Sequence, residues 1–436
     1  MSASFRPWSN SVPLNRKRLL VTATVGLAAI SIAVPSSAAS QANPPHHLDR
    51  IDERARPLDG NFKEAGNSGA GGTIYIFDTG VNIKHEEFEG RAFAGPDFAE
   101  SPGSSKYGSD KDCYGHGTPV AALAAGRTYG VARAAKIVSV KVAGCDGVMT
   151  NASLSQAVHW VTRNAPPRSV VNLSFASAVN LGSPVVEQDI KDSIKAGVTY
   201  VVGAGNNSSD ACQASPARID EVITVAATSD TSDARWSGSN FGLCVDLYAP
   251  GQNVTSASSL SDTGTLTASG TSFATPQVAG AVAVDMNKTL TPGAAQRRVR
   301  DRATPNVVTG EPSAKANRIL RLGGVHTRMP QVKIPDPGSI SMPMDISNEG
   351  DPGSAHLRVS FKIKHPSRGQ LQVDLLTPNG RSFRLYSRNS STGNDLNLID
   401  VPVAAADVPP NGRWRLLVSD GSTGSAGEVT EWALAF

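Results

Sequence analysis

The chain is short of charge. Lys, Arg, Asp and Glu make up 18% of its 436 residues, below the roughly 25% of an average soluble chain, and the two signs nearly cancel to leave +3. Disordered chains are charge-rich and cannot bury enough apolar surface; with 39% apolar residues this one has material for a sizeable core. The small net charge leaves no electrostatic footprint of a nucleic-acid binder. Cysteine is scarce as well. Four cysteines are too few to hold a chain of this length by disulfides alone, and without a Cys-x-x-Cys pair they do not read as a metal site. Beyond the first forty residues no apolar run is long enough to cross a bilayer, and there is no internal repeat. What is plentiful is glycine and proline, 41 and 28 residues, which signals many turns. The length predicts two or three domains at about 150 residues each.

Arg16, Lys17 and Arg18 precede an apolar run from Leu19 to Val34, followed by small residues from Ser36 to Ala39. That is the layout of a secretory signal. The run falls short of the roughly twenty residues a membrane anchor needs. Residues 1–39 are therefore expected to be removed, leaving a secreted protein that is not held at a membrane, in a compartment that permits disulfides. A short segment, 40–47, follows. Its adjacent His46 and His47 read as a solvated tail rather than as ligands.

From 48 to 325, short β-branched runs alternate with helix-like stretches. The runs are Thr73 to Phe77, Lys136 to Val142, Ser169 to Leu173, Val198 to Val202 and Val222 to Ala226; the helix-like stretches include Thr118 to Ala125, Leu154 to Asn164 and Pro184 to Ala196. This alternation predicts an α/β fold with a doubly wound, mostly parallel sheet. Residues 326–340, with their cluster of prolines and no helical period, read as a linker. Beyond them, alternating runs are separated by Pro-Asn-Gly, Asn-Gly and Asp-Gly turn signals, which predicts a small all-β sandwich over 341–436.

Three side chains carry the candidate chemistry. Asp78 follows a strand, in Asp78-Thr79-Gly80. His116 opens a small-residue helix in Gly115-His116-Gly117-Thr118. Ser272 opens another in Gly270-Thr271-Ser272-Phe273-Ala274-Thr275-Pro276. Each alone is weak, since a serine at a helix start is usually a cap. The order Asp, His, Ser is one of the known chain orders of hydrolase triads. With FDTGV (77–81), GHGTPVA (115–121), GAGN (203–206) and GTSFATPQVAG (270–280) in register, residues 48–325 resemble the subtilisin-like serine proteases, in their proteinase K and aqualysin branch.

The resemblance implies a secreted serine endopeptidase, of broad specificity and monomeric, acting on proteins or peptides with no cofactor for catalysis. Ser272 would be the nucleophile, His116 the general base and Asp78 its orienting acid, with Asn206 an oxyanion donor beside the Ser272 backbone N–H. Ser174, Phe175 and Ala176 would pair with the substrate main chain, and Gly203, Ala204 and Gly205 would form the facing wall. Ala176 departs from the family's usual glycine, and Pro119 from its usual residue after Gly-His-Gly-Thr; proline is tolerated in a first helical turn. Four cysteines allow three connectivities; the resemblance implies Cys113–Cys145 and Cys212–Cys244. It also implies a structural Ca²⁺ held by the Asp246 carboxylate and the carbonyls of Asp220 and Val222, although Asp246 reads equally as an ordinary solvated carboxylate. The stretch between the expected signal and Leu48 is too short for a separate folded pro-segment.

The C-terminal part, about 333 to 436, resembles the P domain of kexin-like convertases, on His365 to Gly369, Leu371 to Gly380, Asn411 to Asp420 and Gly427 to Leu434. Two other readings stay open: a dibasic-specific processing protease, favoured by that domain, and an inactive protease-like binding module.

Overall fold

The computed structural model describes residues 40–53, 55–63, 68–99, 108–166, 169–175, 177–178, 183–286, 291–322, 325–328, 330–346, 357–405, 407–424 and 426–436. The expected signal, 1–39, and Ala176 lie outside the described residues.

Thr73–Asp78 (β1) shows how the sequence builds the main sheet. Ile74 and Ile76 enter one apolar core, Tyr75 and Phe77 the other. A strand that is apolar on both sides must be covered on both, as in parallel α/β sheets. The other strands are Ala92–Asp97 (β2), Lys136–Lys141 (β3), Ser169–Leu173 (β4), Thr199–Gly203 (β5), Ile223–Thr228 (β6), Leu247–Pro250 (β7), Thr304–Pro305 (β8) and Arg318–Ile319 (β9). Their order is β8-β9-β7-β6-β5-β4-β1-β3-β2. All neighbours run parallel except β8 and β9.

The helices are His46–Asp52 (α1), Gly117–Ala125 (α2), Asn151–Asn164 (α3), Pro184–Lys195 (α4), Thr271–Asp285 (α5) and Pro292–Arg302 (α6). The amphipathic α3 and α4 cover one face of the sheet with Leu154, Val158, Val161, Val186 and Ile190. On the other face, α2 is buried along its whole length and α5 almost so, which suits their apolar, alanine-rich composition. They touch where Gly280 meets Ala124: a Cβ at Gly280 would lie 2.6 Å from the Ala124 carbonyl oxygen. Among the described residues no helix is long and apolar enough to cross a membrane.

Two expectations need correction. The segment at 40–47 is no solvated tail. Ser40–Ala42 pairs antiparallel with Asn61–Lys63, and Leu48 and Ile51 anchor α1 in the core. His47 is fully buried, its Nε2 3.0 Å from the Tyr129 carbonyl oxygen, and burial pulls its pKa down to about 3. The stretch at 326–340 is no linker either. Val325–Arg328 and Val332–Ile334 pair with Gly427–Ala435, and Gly338–Ile346 pairs with Gly412–Asp420. The prolines hid an alternation that buries Ile334, Met342, Met344 and Ile346. Pro343 is accommodated because its strand lies at a sheet edge.

The C-terminal sandwich stacks two antiparallel sheets. One contains Val325–Arg328, Val332–Ile334, Gly427–Ala435, Arg358–Lys364 and Leu396–Pro402; the other contains Gly338–Ile346, Gly412–Asp420, Leu371–Leu376 and Ser382–Tyr386. Trp414 and Trp432 are fully buried in its core. It meets the α/β domain through Arg358 Nη2 and Asp301 Oδ2 at 2.6 Å, and through Arg321 Nη1, which donates to the Phe436 carbonyl oxygen at 2.9 Å.

Candidate active site

Asp78 is the last residue of β1 and fully buried, at the carboxyl end of the parallel strands where open α/β sheets bind ligands. His116 caps the N-terminus of α2. Its Nδ1–H donates to Asp78 Oδ1 at 2.8 Å, and a fifth of its side chain stays exposed. With Nδ1 protonated by that contact, Nε2 carries the lone pair. Burial, the largest influence, pushes the His116 pKa down. The Asp78 charge, the Asp78 hydrogen bond and the Asp112 charge together outweigh it, so the pKa sits above its ordinary value.

The two loops are clamped together by residues that sequence reasoning missed. Asp112 Oδ1 accepts from Thr79 Oγ1 and the Gly115 N–H, and its Oδ2 accepts from the Thr118 N–H. Thr79 Oγ1 in turn accepts the Gly117 N–H at 3.0 Å. Gly117 is needed there, because a Cβ would fall 2.0 Å from the Gly80 carbonyl oxygen. From beneath, the buried Lys141 ammonium donates to the Thr79 carbonyl. The only hint in the sequence is that Asp112 lies four residues before His116.

Ser272 lies in the first turn of α5, where backbone N–H groups lack intrahelical partners and the dipole favours negative charge. Its hydroxyl donates to the Ser174 carbonyl at 2.9 Å rather than to His116. Ser174 Oγ donates back to the Ser272 carbonyl at 3.0 Å. Phe175 and Phe273 flank the imidazole, with ring centroids 5.4 and 6.3 Å away.

Asn206 Oδ1 accepts from both the backbone N–H and the hydroxyl of Thr271, each at 2.9 Å. This fixes the amide and leaves Nδ2 as an uncommitted donor beside the Ser272 turn. Thr271, another missed residue, also accepts the Gly205 N–H. Ala204 is held by its N–H to Val225 and by Asn240 Nδ2 on its carbonyl. Gly203, Ala204 and Gly205 thus form a hydrogen-bonded, uncharged stretch at the end of β5. The structure pairs Cys113 with Cys145 and Cys212 with Cys244; the first bridge lies beside the His116 loop.

The oxygens expected to hold calcium do converge, but on a nitrogen. Gln296 Nε2 donates to the carbonyls of Asp220 and Val222 at 2.9 and 2.8 Å and lies 3.4 Å from Asp246 Oδ2. These residues do not present an open oxygen shell to an ion.

The chain is similar to known proteins in both of its domains. The subtilase family matches residues 69–323, and the proprotein convertase P-domain matches 354–436. An extracellular serine proteinase of Thermus sp. (strain Rt41A) is 44% identical over 275 residues, 63% of this chain and 65% of that protein. Alkaline serine exoprotease A of Vibrio alginolyticus is 39% identical over 289 residues, covering 66% of this chain and 52% of that protein. The chain thus spans between half and two thirds of the length of these curated relatives. The crystal structure of a cold adapted subtilisin-like serine proteinase superposes with a TM-score of 0.60 at 40% identity, over 65% of this chain and 99% of that one. With more than half of its length matched, the chain belongs to the subtilase family, and a P-domain follows its subtilase domain.

Proposed function

We propose that this protein is a secreted serine endopeptidase of broad specificity that cleaves proteins and peptides through an acyl-enzyme. The observation that carries the reading is the Asp78–His116 contact at 2.8 Å, together with a serine in the first turn of α5 whose neighbour Phe273 flanks the same imidazole. Ser272 Oγ leaves the Ser174 carbonyl, turns to His116 Nε2 and attacks the scissile carbonyl carbon while His116 takes its proton. Catalytic hydrogen bonds commonly tighten only when substrate is bound. Asp78 holds the tautomer and stabilises the imidazolium. The Ser272 N–H and Asn206 Nδ2 receive the oxyanion. Collapse breaks the C–N bond, and His116 returns the proton to the leaving amine. Water, deprotonated by His116, then attacks the ester, and the acid product leaves with Ser272 restored.

Ser174, Phe175 and Ala176 would add their edge to the peptide backbone. The absence of charge along Gly203–Gly205 favours apolar P1 residues. The P-domain favours a second reading, a dibasic-specific processing protease, and paired peptide amides with Phe or Arg at P1 separate the two. Secretion is supported by the layout of residues 1–39 and by the similarity to an extracellular serine proteinase. The test is Ser272→Ala: peptide-amide hydrolysis and labelling by a fluorophosphonate should both vanish. A variant that still hydrolyses at the parental rate sinks the proposal.

A further inference from the structure

Asp220 and Val222 lie on the loop that enters β6, and Asp246 immediately precedes β7. Across them runs α6, which presents Gln296 and, one turn later, Arg300. The Gln296 amide nitrogen sits within hydrogen-bond reach of three oxygens, 2.9, 2.8 and 3.4 Å away. Arg300 Nη1 lies 3.5 Å from Asp246 Oδ1. Asp246 Oδ2 is further used by the Thr224 N–H at 2.9 Å.

Calcium takes six to eight oxygens at about 2.3–2.6 Å. Here the two carbonyls and one carboxylate oxygen are aimed at N–H hydrogens, and the Arg300 guanidinium beside Asp246 repels a cation. An ion bound to the same three oxygens would displace the amide. We propose that the Gln296 side chain, backed by Arg300, takes the place of a divalent cation at the Asp220–Val222–Asp246 oxygens, so that α6 is latched to the sheet by the chain's own donors and the latch needs no metal. An amide supplies two fixed N–H dipoles where an ion would supply charge, and Arg300 supplies the charge from the side. The next residue along α6, Asp301, holds Arg358 of the sandwich, so the latch also steadies the helix to which the second domain is tied.

The test is the change in melting temperature between excess chelator and saturating calcium, read on a Ser272→Ala background to prevent self-digestion. Ions bound elsewhere shift every variant alike. Asp246→Asn, which removes the carboxylate charge, should show the same shift as its parent. Gln296→Glu, which turns the donor into an acceptor, should respond to calcium by roughly 5–10 °C more than its parent, the size expected when a ligand saturates a newly made site. The proposal is overturned if Asp246→Asn abolishes a shift that the parent shows, or if Gln296→Glu responds no more than its parent. Should either variant fail to fold, the other decides.

Discussion

Two His–Asp pairs among the described residues, one in each domain, differ in their surroundings. In the α/β domain, His116 gives Nδ1 to Asp78 at 2.8 Å and keeps a fifth of its side chain exposed. In the sandwich, His365 gives Nε2 to Asp420 at 3.0 Å, its Nδ1 accepts the Ser367 N–H, and both side chains are fully buried. The second pair has no nitrogen left to act as a base and no path to solvent, so it can only pin strands together. A His–Asp contact is therefore no mark of catalysis. What separates the two is that His365 uses both ring nitrogens and is fully buried, whereas His116 stays partly exposed.

That contrast can be broken most sharply by parallel alanine variants. His116→Ala should lower kcat/KM by about 10⁴-fold or more. His365→Ala should leave kcat/KM unchanged and cost about 3–5 kcal/mol in denaturant unfolding, because Asp420 is left as an unpaired buried charge. An activity loss in His365→Ala that exceeds its loss of folded protein would collapse the distinction. Asn206→Leu should lower kcat by about 10²–10³-fold with KM nearly unchanged, since its donor is used only in the transition state. In pH profiles, the active form is neutral His116, so activity falls as pH drops through its raised pKa. The acid limb of kcat/KM should therefore lie above 6.5, and Asp78→Asn, by removing the charge that raises it, should move the limb downward.

A third histidine sharpens the point by lacking a carboxylate partner. His47 is held neutral by burial, with its pKa pulled to about 3. Below pH 6.5 the unfolded chain takes up a proton there and the folded chain does not, so stability falls as pH drops from 6.5 toward about 3. The expected slope is about 1.4 kcal/mol per pH unit. His47→Gln should flatten that part of the stability profile in urea titrations.

Periodicity and local motifs explain what could be read from the sequence. Strands such as Thr73–Asp78 and Ser169–Leu173 are apolar on both faces, and the Asp, His and Ser sites sit at strand or helix ends where turn residues announce them. What escaped depends on convergence. Gln296 meets oxygens 50 to 76 residues away, and on a polar helix face nothing distinguishes it from a solvated glutamine. Thr271 orients an amide 65 residues distant. Val332 to Ile346 alternates as a strand should, but its prolines masked the pattern. His47 looked like tail because the apolar residues that bury its helix, Leu48 and Ile51, come after it.

The contact between Gly280 and Ala124 has a mechanical meaning. His116 and Ser272 ride on the tips of two rods that press together about 12 Å farther down, at eight residues of 1.5 Å rise, with the Val131 side chain packed against the same spot. The rods behave like tongs, and a single added methyl at the pivot would spread the ends that carry His116 and Ser272.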